Sequence, residues 1–253
     1  GMMRTRFPQE RREDIEKKLL VEGKIRVSEL AELFDVSSET IRKDLLYLEE
    51  KGIAKKGYGG AVVANDRLEP SYTEKSVAHQ EEKERIARAA IDLVQGGMIL
   101  MMDAGSTVYA VARMLGIRRN ISVLTNAPRT ALLLDDYHIK TYILGGEFRS
   151  NSNALIGGWS TNAIKEIRAD AAIIGTSGFC GRQGPCVENF PESEVKKAMI
   201  ENSNKVIVVG DSSKATTNAL IQYCRWEDVD AFITDGGFPT ELIGEMEKKT
   251  QLI

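Results

Sequence analysis

Met98-Ile99-Leu100-Met101-Met102 is an unbroken apolar run of strand length, and it limits the fold more than any other stretch of this chain. A strand with one wet face alternates apolar and polar residues, whereas an unbroken run suits a parallel strand buried on both faces. Further strand candidates follow at 121–124, 141–144, 171–174, 206–209 and 231–234. Helical patterns lie between them, at 107–115, 128–134, 161–167, 193–202 and 240–249. This alternation predicts an α/β domain with a mostly parallel sheet. A helix over about 79–95, with Ile86, Ala87, Ala90, Ile91 and Val94 inward, opens it.

Ligands of such sheets bind beyond the carboxyl ends of the strands. Five of those ends carry small polar residues: Asp103-Ala104-Gly105-Ser106-Thr107, Thr125-Asn126, Gly145-Gly146-Glu147-Phe148-Arg149, Gly175-Thr176-Ser177-Gly178 and Gly210-Asp211-Ser212-Ser213-Lys214. Gly105 allows a tight turn, and Ser106 and Thr107 put hydroxyls at a helix N-terminus, where free N–H groups and the helix dipole favour an anion. Lys214 offers a cation. One such loop has a steric explanation in turn formation; five on one edge predict a pocket for a small anion.

The N-terminal sixty residues read differently. A helix starts at Pro8 and runs to about Val21, with Ile15, Leu19 and Leu20 inward and Gly23 ending it. Ser28 is placed to cap a second helix. Asp35-Val36 turns into a third, from Ser37 to about Lys51, with Gly52 suited to its C-terminal end. Ser37 caps this helix, and Ile41, Leu45 and Leu48 form one buried stripe at i, i+4 and i+7. Glu39, Lys43 and Leu46 point away from the stripe, with Thr40 and Arg42 on its flanks. A second helix of a helix-turn-helix reaches base edges with the residues at its start. Ser37, Ser38, Glu39, Thr40, Arg42 and Lys43 are therefore the candidate DNA contacts. Two short apolar segments around a glycine-rich basic tip, residues 53–63, predict a β-hairpin wing. Lys55, Lys56 and Tyr58 would follow the phosphate backbone. Residues 64–78, polar and charged, read as a linker.

The formal charge of −3 opposes a general attraction to nucleic acid, but it is unevenly spread. Residues 1–60 carry 13 Lys and Arg against 12 Asp and Glu, a net of +1, and the remainder carries −4. DNA binding must come from a local patch. Three cysteines, Cys180, Cys186 and Cys224, with no metal-type spacing, predict reduced thiols and a cytoplasmic setting. Two histidines leave little material for a metal site, and neither a metal nor a cofactor is expected. No apolar run approaches the ~20 residues of a membrane span, and no secretory signal is visible.

The segment Val36-Ser37-Ser38-Glu39-Thr40-Ile41-Arg42-Lys43-Asp44-Leu45, followed by Gly59-Gly60-Ala61, resembles the DNA-binding domain of the DeoR/GlpR family of bacterial transcriptional regulators. That family's wing usually reads Arg-x-His-Gly-Gly-Ala. Lys56-Gly57-Tyr58-Gly59-Gly60-Ala61 keeps the charge here but not the two-pronged guanidinium. Asp103–Thr107, Leu124-Thr125-Asn126, Leu144-Gly145-Gly146 and Asp211-Ser212-Ser213-Lys214 resemble the family's sensor domain, which is similar to ribose-5-phosphate isomerase and binds phosphorylated sugars or related metabolites. The resemblance implies that Gly105, Ser106, Thr107 and Lys214 hold a phosphate. It also implies that Thr125, Asn126, Gly146, Ser177 and Gly178 line the rest of the pocket, while Asp103 and Arg149 reach sugar hydroxyls or position the loops.

The expected architecture is a winged helix-turn-helix over 1–63, a linker over 64–78 and an isomerase-like α/β effector domain over 79–253. The expected function is a repressor of a sugar-metabolism operon that binds operator DNA as a dimer or higher oligomer and responds to a phosphosugar. The alternative is a sugar-phosphate isomerase with an appended DNA-binding domain. Isomerisation needs a carboxylate base beside the carbonyl. The isomerase's Asp-Gly-Ala-Asp turn is matched here by Gly175-Thr176-Ser177-Gly178, which lacks both carboxylates, and Glu188, Glu192 and Glu194 read first as loop and helix-start charges. Nucleotide-binding glycine motifs are absent. A DNA architectural protein without a ligand would leave the five loops unexplained.

Overall fold

The computed structural model describes residues 7–22, 24–57, 59–63, 71–118 and 120–253. The chain divides into two compact units, Gly1–Ala78 and His79–Ile253.

In the first unit, α1 (Pro8–Glu22) starts at its proline, where the missing N–H is not needed by the helix ladder. Gly23, expected to end it, lies outside the described residues. Then come β1 (Lys24–Arg26), α2 (Val27–Phe34), α3 (Ser38–Glu50), β2 (Ala54–Gly57), β3 (Gly60–Val63) and α4 (Tyr72–Val77). The three strands form an antiparallel sheet in the order β1-β3-β2. Gly60 is required there, because any side chain would collide with the Ile25 carbonyl across the β1–β3 pair. Ile15 and Leu19 of α1, Leu30 and Phe34 of α2, and Ile41, Leu45 and Leu48 of α3 close a core with Ile25, Ile53 and Ala61.

Two expectations need correction. Ser28 does not cap α2: the cap is Arg26, in extended geometry and without a side-chain bond. Arg26 is held extended by its pairing with Gly60, so the helix begins directly after the strand. The linker reading fails over residues 72–77, which form α4. Ser71 and Glu74 close a capping box at its start, Tyr72 is buried, and the helix packs on α1. Residues 64–70 lie outside the described residues.

The second unit comprises α5 (Gln80–Ile91), β4 (Ile99–Met102), α6 (Ser106–Met114), β5 (Ser122–Thr125), α7 (Pro128–Asp136), β6 (Lys140–Ile143), β7 (Glu147–Arg149), β8 (Ala154–Ile156), α8 (Gly158–Lys165), β9 (Ala169–Gly175), β10 (Cys186–Val187), α9 (Phe190–Glu201), β11 (Ser203–Val209), β12 (Ile221–Gln222), β13 (Ala231–Ile233), α10 (Thr240–Glu247) and β14 (Gln251–Leu252). Seven strands form one sheet in the order β14-β13-β11-β9-β4-β5-β6, and every pair in it is parallel. Both faces are covered over the inner strands, whereas the edge strand β6 is largely exposed, with Tyr142 and Ile143 about half open. Leu100, Met102, Ala171, Ile173, Ile207 and Val209 pack with α5 and α6 residues such as Ile86, Ala90 and Val111. Their neighbours Met101, Ala172 and Ile174 pack on the other face with Val195 and Met199 of α9, and Val206 and Val208 with Trp226 and Phe232. This period of two with both phases apolar is what unbroken strand runs encode.

The chain runs outward from β4 through β5 to β6, then returns to the other side of β4 and runs outward through β9, β11, β13 and β14. The order therefore reverses between β4 and β9, where open α/β sheets place their ligand crevice.

Candidate functional site

Two surfaces carry the candidate chemistry. In the first unit, the Ser37 hydroxyl accepts the Thr40 backbone N–H at 3.1 Å and caps α3. With Ile41, Leu45 and Leu48 buried, Ser38, Glu39, Arg42, Lys43 and Leu46 are left exposed, Leu46 by 53%. A groove of about 540 Å3 runs between α3 and the hairpin, lined by Ser38, Arg42, Leu46, Glu49, Lys56 and Gly57 among others. The backbone N–H of Lys56 donates to the Glu49 carboxylate at 3.4 Å, tying the wing to α3. Consecutive strand residues face opposite ways, so Lys56 lines this groove and Lys55 projects from the hairpin's other face. Tyr58 lies outside the described residues.

The sequence reading missed Asp44. It sits on the buried face of α3, 1% exposed, and accepts from Arg11 Nε at 2.6 Å and Arg12 Nε at 2.8 Å, both on α1. The Arg12 guanidinium also stacks 4.3 Å from the Tyr47 ring centroid. A carboxylate beside Ile41 and Leu45 on an apolar stripe is the available signal, since a buried charge needs a partner.

In the second unit all five polar loops leave the same sheet edge, because the strands are parallel. Three of them abut. The carboxylate of Asp103, just past β4, accepts the Gly175 N–H at 3.3 Å, and a methyl on Gly175 would sit 3.7 Å from Val108 of α6. Gly210 packs beside Thr176 and the Lys214 stem, and the Phe179 N–H donates to the Lys214 carbonyl at 2.9 Å. The loops bearing Asp103, Ser177 and Lys214 are thus contiguous around the β4–β9 reversal. Gly105 caps α6 at φ 121°, ψ 155°, backbone angles that essentially only glycine adopts. That turn presents Ser106, half-buried, and Thr107, buried, at the start of α6.

The other candidate residues also make contacts that brace these loops. Thr125 Oγ1 accepts the Ala127 N–H at 3.1 Å. The Asn126 amide donates to the Leu155 carbonyl at 3.1 Å, joining this loop to β8, and its Oδ1 is buried with no partner among the described residues. A side chain on Gly146 would strike the Ile156 carbonyl, and one on Gly178 the Thr217 carbonyl; close packing alone accounts for both glycines. The Ser177 hydroxyl donates to Glu188. Burial raises the Asp211 carboxyl, but Lys214, Ser213 and His79 outweigh it and hold it below its usual range.

The helix expected at 193–202 is present as α9, but the sequence does not show that its charges are buried. Lys196 is buried and its ammonium donates to Asp103. Glu192, also buried, accepts from the Asn189 amide and lies 3.7 Å from the Arg149 guanidinium. Burial lifts the Asp103 carboxyl above its usual range, Lys196 draws it back only in part, and Glu192 adds to the lift. The Tyr223 ring lies 5.5 Å from the Lys196 ammonium, and its hydroxyl donates to the Gly175 carbonyl at 2.7 Å. From sequence Glu192 reads first as a helix-start charge, and nothing local marks Lys196 as buried.

The three thiols are free. Burial pushes the Cys186 thiol up and the Cys224 thiol up to about 12, so these two are poor nucleophiles. Among the described residues no group of three or more His, Cys, Asp or Glu could hold a metal ion, and no helix is long and apolar enough to cross a membrane.

Residues 11–67 match the model of the DeoR-like helix-turn-helix domain, and residues 78–236 that of the DeoR C terminal sensor domain. Over 252 residues the chain is 30% identical to a putative aga operon transcriptional repressor of Escherichia coli O157:H7, covering 98% of this chain and 94% of that protein. It is 34% identical over 226 residues to the glycerol-3-phosphate regulon repressor of Escherichia coli strain K12, covering 88% of each. Among solved structures it is similar to a ribose 5-phosphate isomerase of Methanocaldococcus jannaschii, at 20% identity over 54% of this chain and 55% of that one, with a TM-score of 0.38.

Proposed function

This chain belongs to the DeoR family of transcriptional regulators, and from that membership we propose that it represses a sugar-metabolism operon under the control of a phosphorylated sugar. DNA recognition is assigned to residues 1–63. Ser38, Glu39, Arg42 and Lys43 face bases or phosphates from α3, with Ser37 and Thr40 shaping its start. Lys56 reaches the backbone from the groove side of the wing, Lys55 is assigned a phosphate on its other face, and Tyr58 is assigned to the same backbone contact. Two copies reading two half-sites account for operator binding, as symmetric helix-turn-helix proteins do. A cytoplasmic location follows from this role.

Effector binding is assigned to residues 79–253. The observation that carries it is the meeting of the Asp103, Ser177 and Lys214 loops at the sheet's reversal point, beside the N-terminus of α6. The phosphate sits on Gly105, Ser106 and Thr107, with Lys214 as its counter-charge. Catalysis is not part of this reading. The turn 175–178 carries no carboxylate. The nearby acids are engaged: Glu188 by Ser177, Glu192 by Asn189 and Arg149, and Asp103 by Lys196 and Gly175.

Thermal melts of the purified protein with a panel of sugar phosphates test the proposal, since a ligand bound only by the folded state raises Tm. A stabilising phosphosugar should also release operator DNA, and Lys214→Ala should weaken both effects. A panel that moves neither Tm nor DNA affinity defeats the effector assignment. Turnover of ribose 5-phosphate by the wild-type protein defeats the non-catalytic reading.

A further inference from the structure

The large aromatics that the 79–253 unit leaves exposed, among the described residues, are Tyr142, Phe148, Trp159 and Phe190. Trp159 is 80% exposed, Phe190 66% and Phe148 51%. Two grooves connect them. One, of about 420 Å3, is lined by Gly146, Glu147, Ile156, Gly157, Gly158 and Trp159. The other, of about 490 Å3, runs between α8 and α9 and shares Gly157 and Gly158 with the first. Phe190, Lys165, Lys197 and Glu201 line it further along. Phe148 follows Glu147 on β7, and the edge strand β6 leads through Leu144 and Gly145 to Gly146 in the first groove. Among the described residues β6 pairs only with β5. The sheet's other edge, β14, is two residues long, which blunts an edge against further pairing. β6 has four residues and turns Tyr142 and Ile143 outward.

At roughly 200 Å2 per ring, Trp159, Phe190 and Phe148 alone leave about 400 Å2 open to water. Contiguous apolar patches of that size mark interaction sites, and this one is already half of the ~800 Å2 that each partner gives to a standard interface. The charges around it select the partner. Glu147, Glu194 and Glu201 stand among Lys165 and Lys197, with Lys197 and Glu194 3.5 Å apart. A nucleic acid or an anionic membrane would select a rim of one sign. A two-fold contact brings the same patch against itself, so a rim of both signs sets its lysines against its own glutamates. An open strand edge is likewise a template for another strand, and a second β6 is its matching length. We propose that this face is the two-fold contact between two copies of the chain, with Trp159 at its centre and β6 at its rim. The proposal rests on the reading above that two copies bind operator, and it supplies the surface that joins them. Gly146 lines the first groove and is also assigned to the effector pocket, so the contact adjoins the ligand loop.

The test is sedimentation equilibrium of the full chain across a dilution series, without DNA or effector. Wild type should associate as a dimer or an even multiple of one. Trp159→Glu should weaken that association by roughly thirtyfold or more, the loss expected when a central aromatic leaves an interface. Phe190→Ala should weaken it severalfold. Both residues are exposed, so the far-UV spectrum of each variant should match that of wild type. Ile117→Glu is the control: Ile117 is 69% exposed and follows α6, on the opposite face of the sheet, and its replacement should leave association unchanged. If wild type is dimeric and Trp159→Glu associates as tightly, or Ile117→Glu dissociates as readily, the interface lies elsewhere; this assignment is overturned and the operator reading stands. A wild type that stays monomeric overturns the assignment, leaves the face to a different protein, and removes the preformed two-copy reader of operator DNA with it.

Discussion

At the scale of single residues, Asp44 and Arg42 make opposite uses of charge two positions apart. Asp44 faces the core and holds two arginines of α1, whereas Arg42 faces outward into the groove beside the wing. Removing one member of a buried pair strands the other charge, at about 3–5 kcal/mol. Asp44→Ala should therefore lower the stability of the helix-turn-helix unit by roughly that amount, read from urea or thermal melts of the full chain. A loss below about 0.5 kcal/mol, the range of ordinary surface changes, would mean that the clamp is screened. Arg42→Ala should do the reverse, leaving the melt within that small range while weakening operator binding in an anisotropy titration. A variant that bound operator as tightly as wild type would remove Arg42 from the interface.

At the scale of elements, the turn into α6 depends on one backbone conformation. Gly105 sits where a side chain is strained although an added methyl would meet nothing within 4 Å, so the cost of replacement is conformational. Gly105→Ala should lose about 1–3 kcal/mol and turn the first N–H groups of α6 away from a shared anion. Calorimetry should show the transition of the 79–253 unit falling while that of the helix-turn-helix unit stays, together with weaker binding of inorganic phosphate. Unchanged phosphate affinity would place the anion elsewhere. Helix α9 illustrates the opposite case. Its Glu192 and Lys196 pattern is that of a solvated face, and only packing against the ends of β4 and β9 turns them into buried, directed charges.

At the scale of the molecule, DNA binding and effector binding are assigned to separate compact units, so regulation must appear as a coupling free energy. Coupling is reciprocal. If a phosphosugar weakens operator affinity by some factor, operator DNA must weaken phosphosugar affinity by the same factor, within the ~5–150-fold usual for such systems. Titrating effector into the free protein and into the operator complex gives both numbers. Unequal factors would show that more than one effector site or assembly state is involved.

The strand runs, the stripe on α3, the Ser37 cap and the shared edge of the polar loops were legible in the sequence, because periodicity and local hydrogen bonding act over a few residues. Strand order, and with it the reversal between β4 and β9, was not. The same holds for the Arg11–Asp44, Arg149–Glu192 and Lys196–Asp103 pairs, whose partners stand far apart in the chain. Ser28 was misassigned for a related reason: pairing of Arg26 with Gly60 fixed where α2 begins. The sequence by itself determined the long strands and helices and which strand ends are polar, but not α4 or the short strands β7, β8, β10, β12 and β14. Only the tertiary structure decided which charges are buried and what they face, because desolvation and ion pairing depend on neighbours that the fold, not the local chain, brings together.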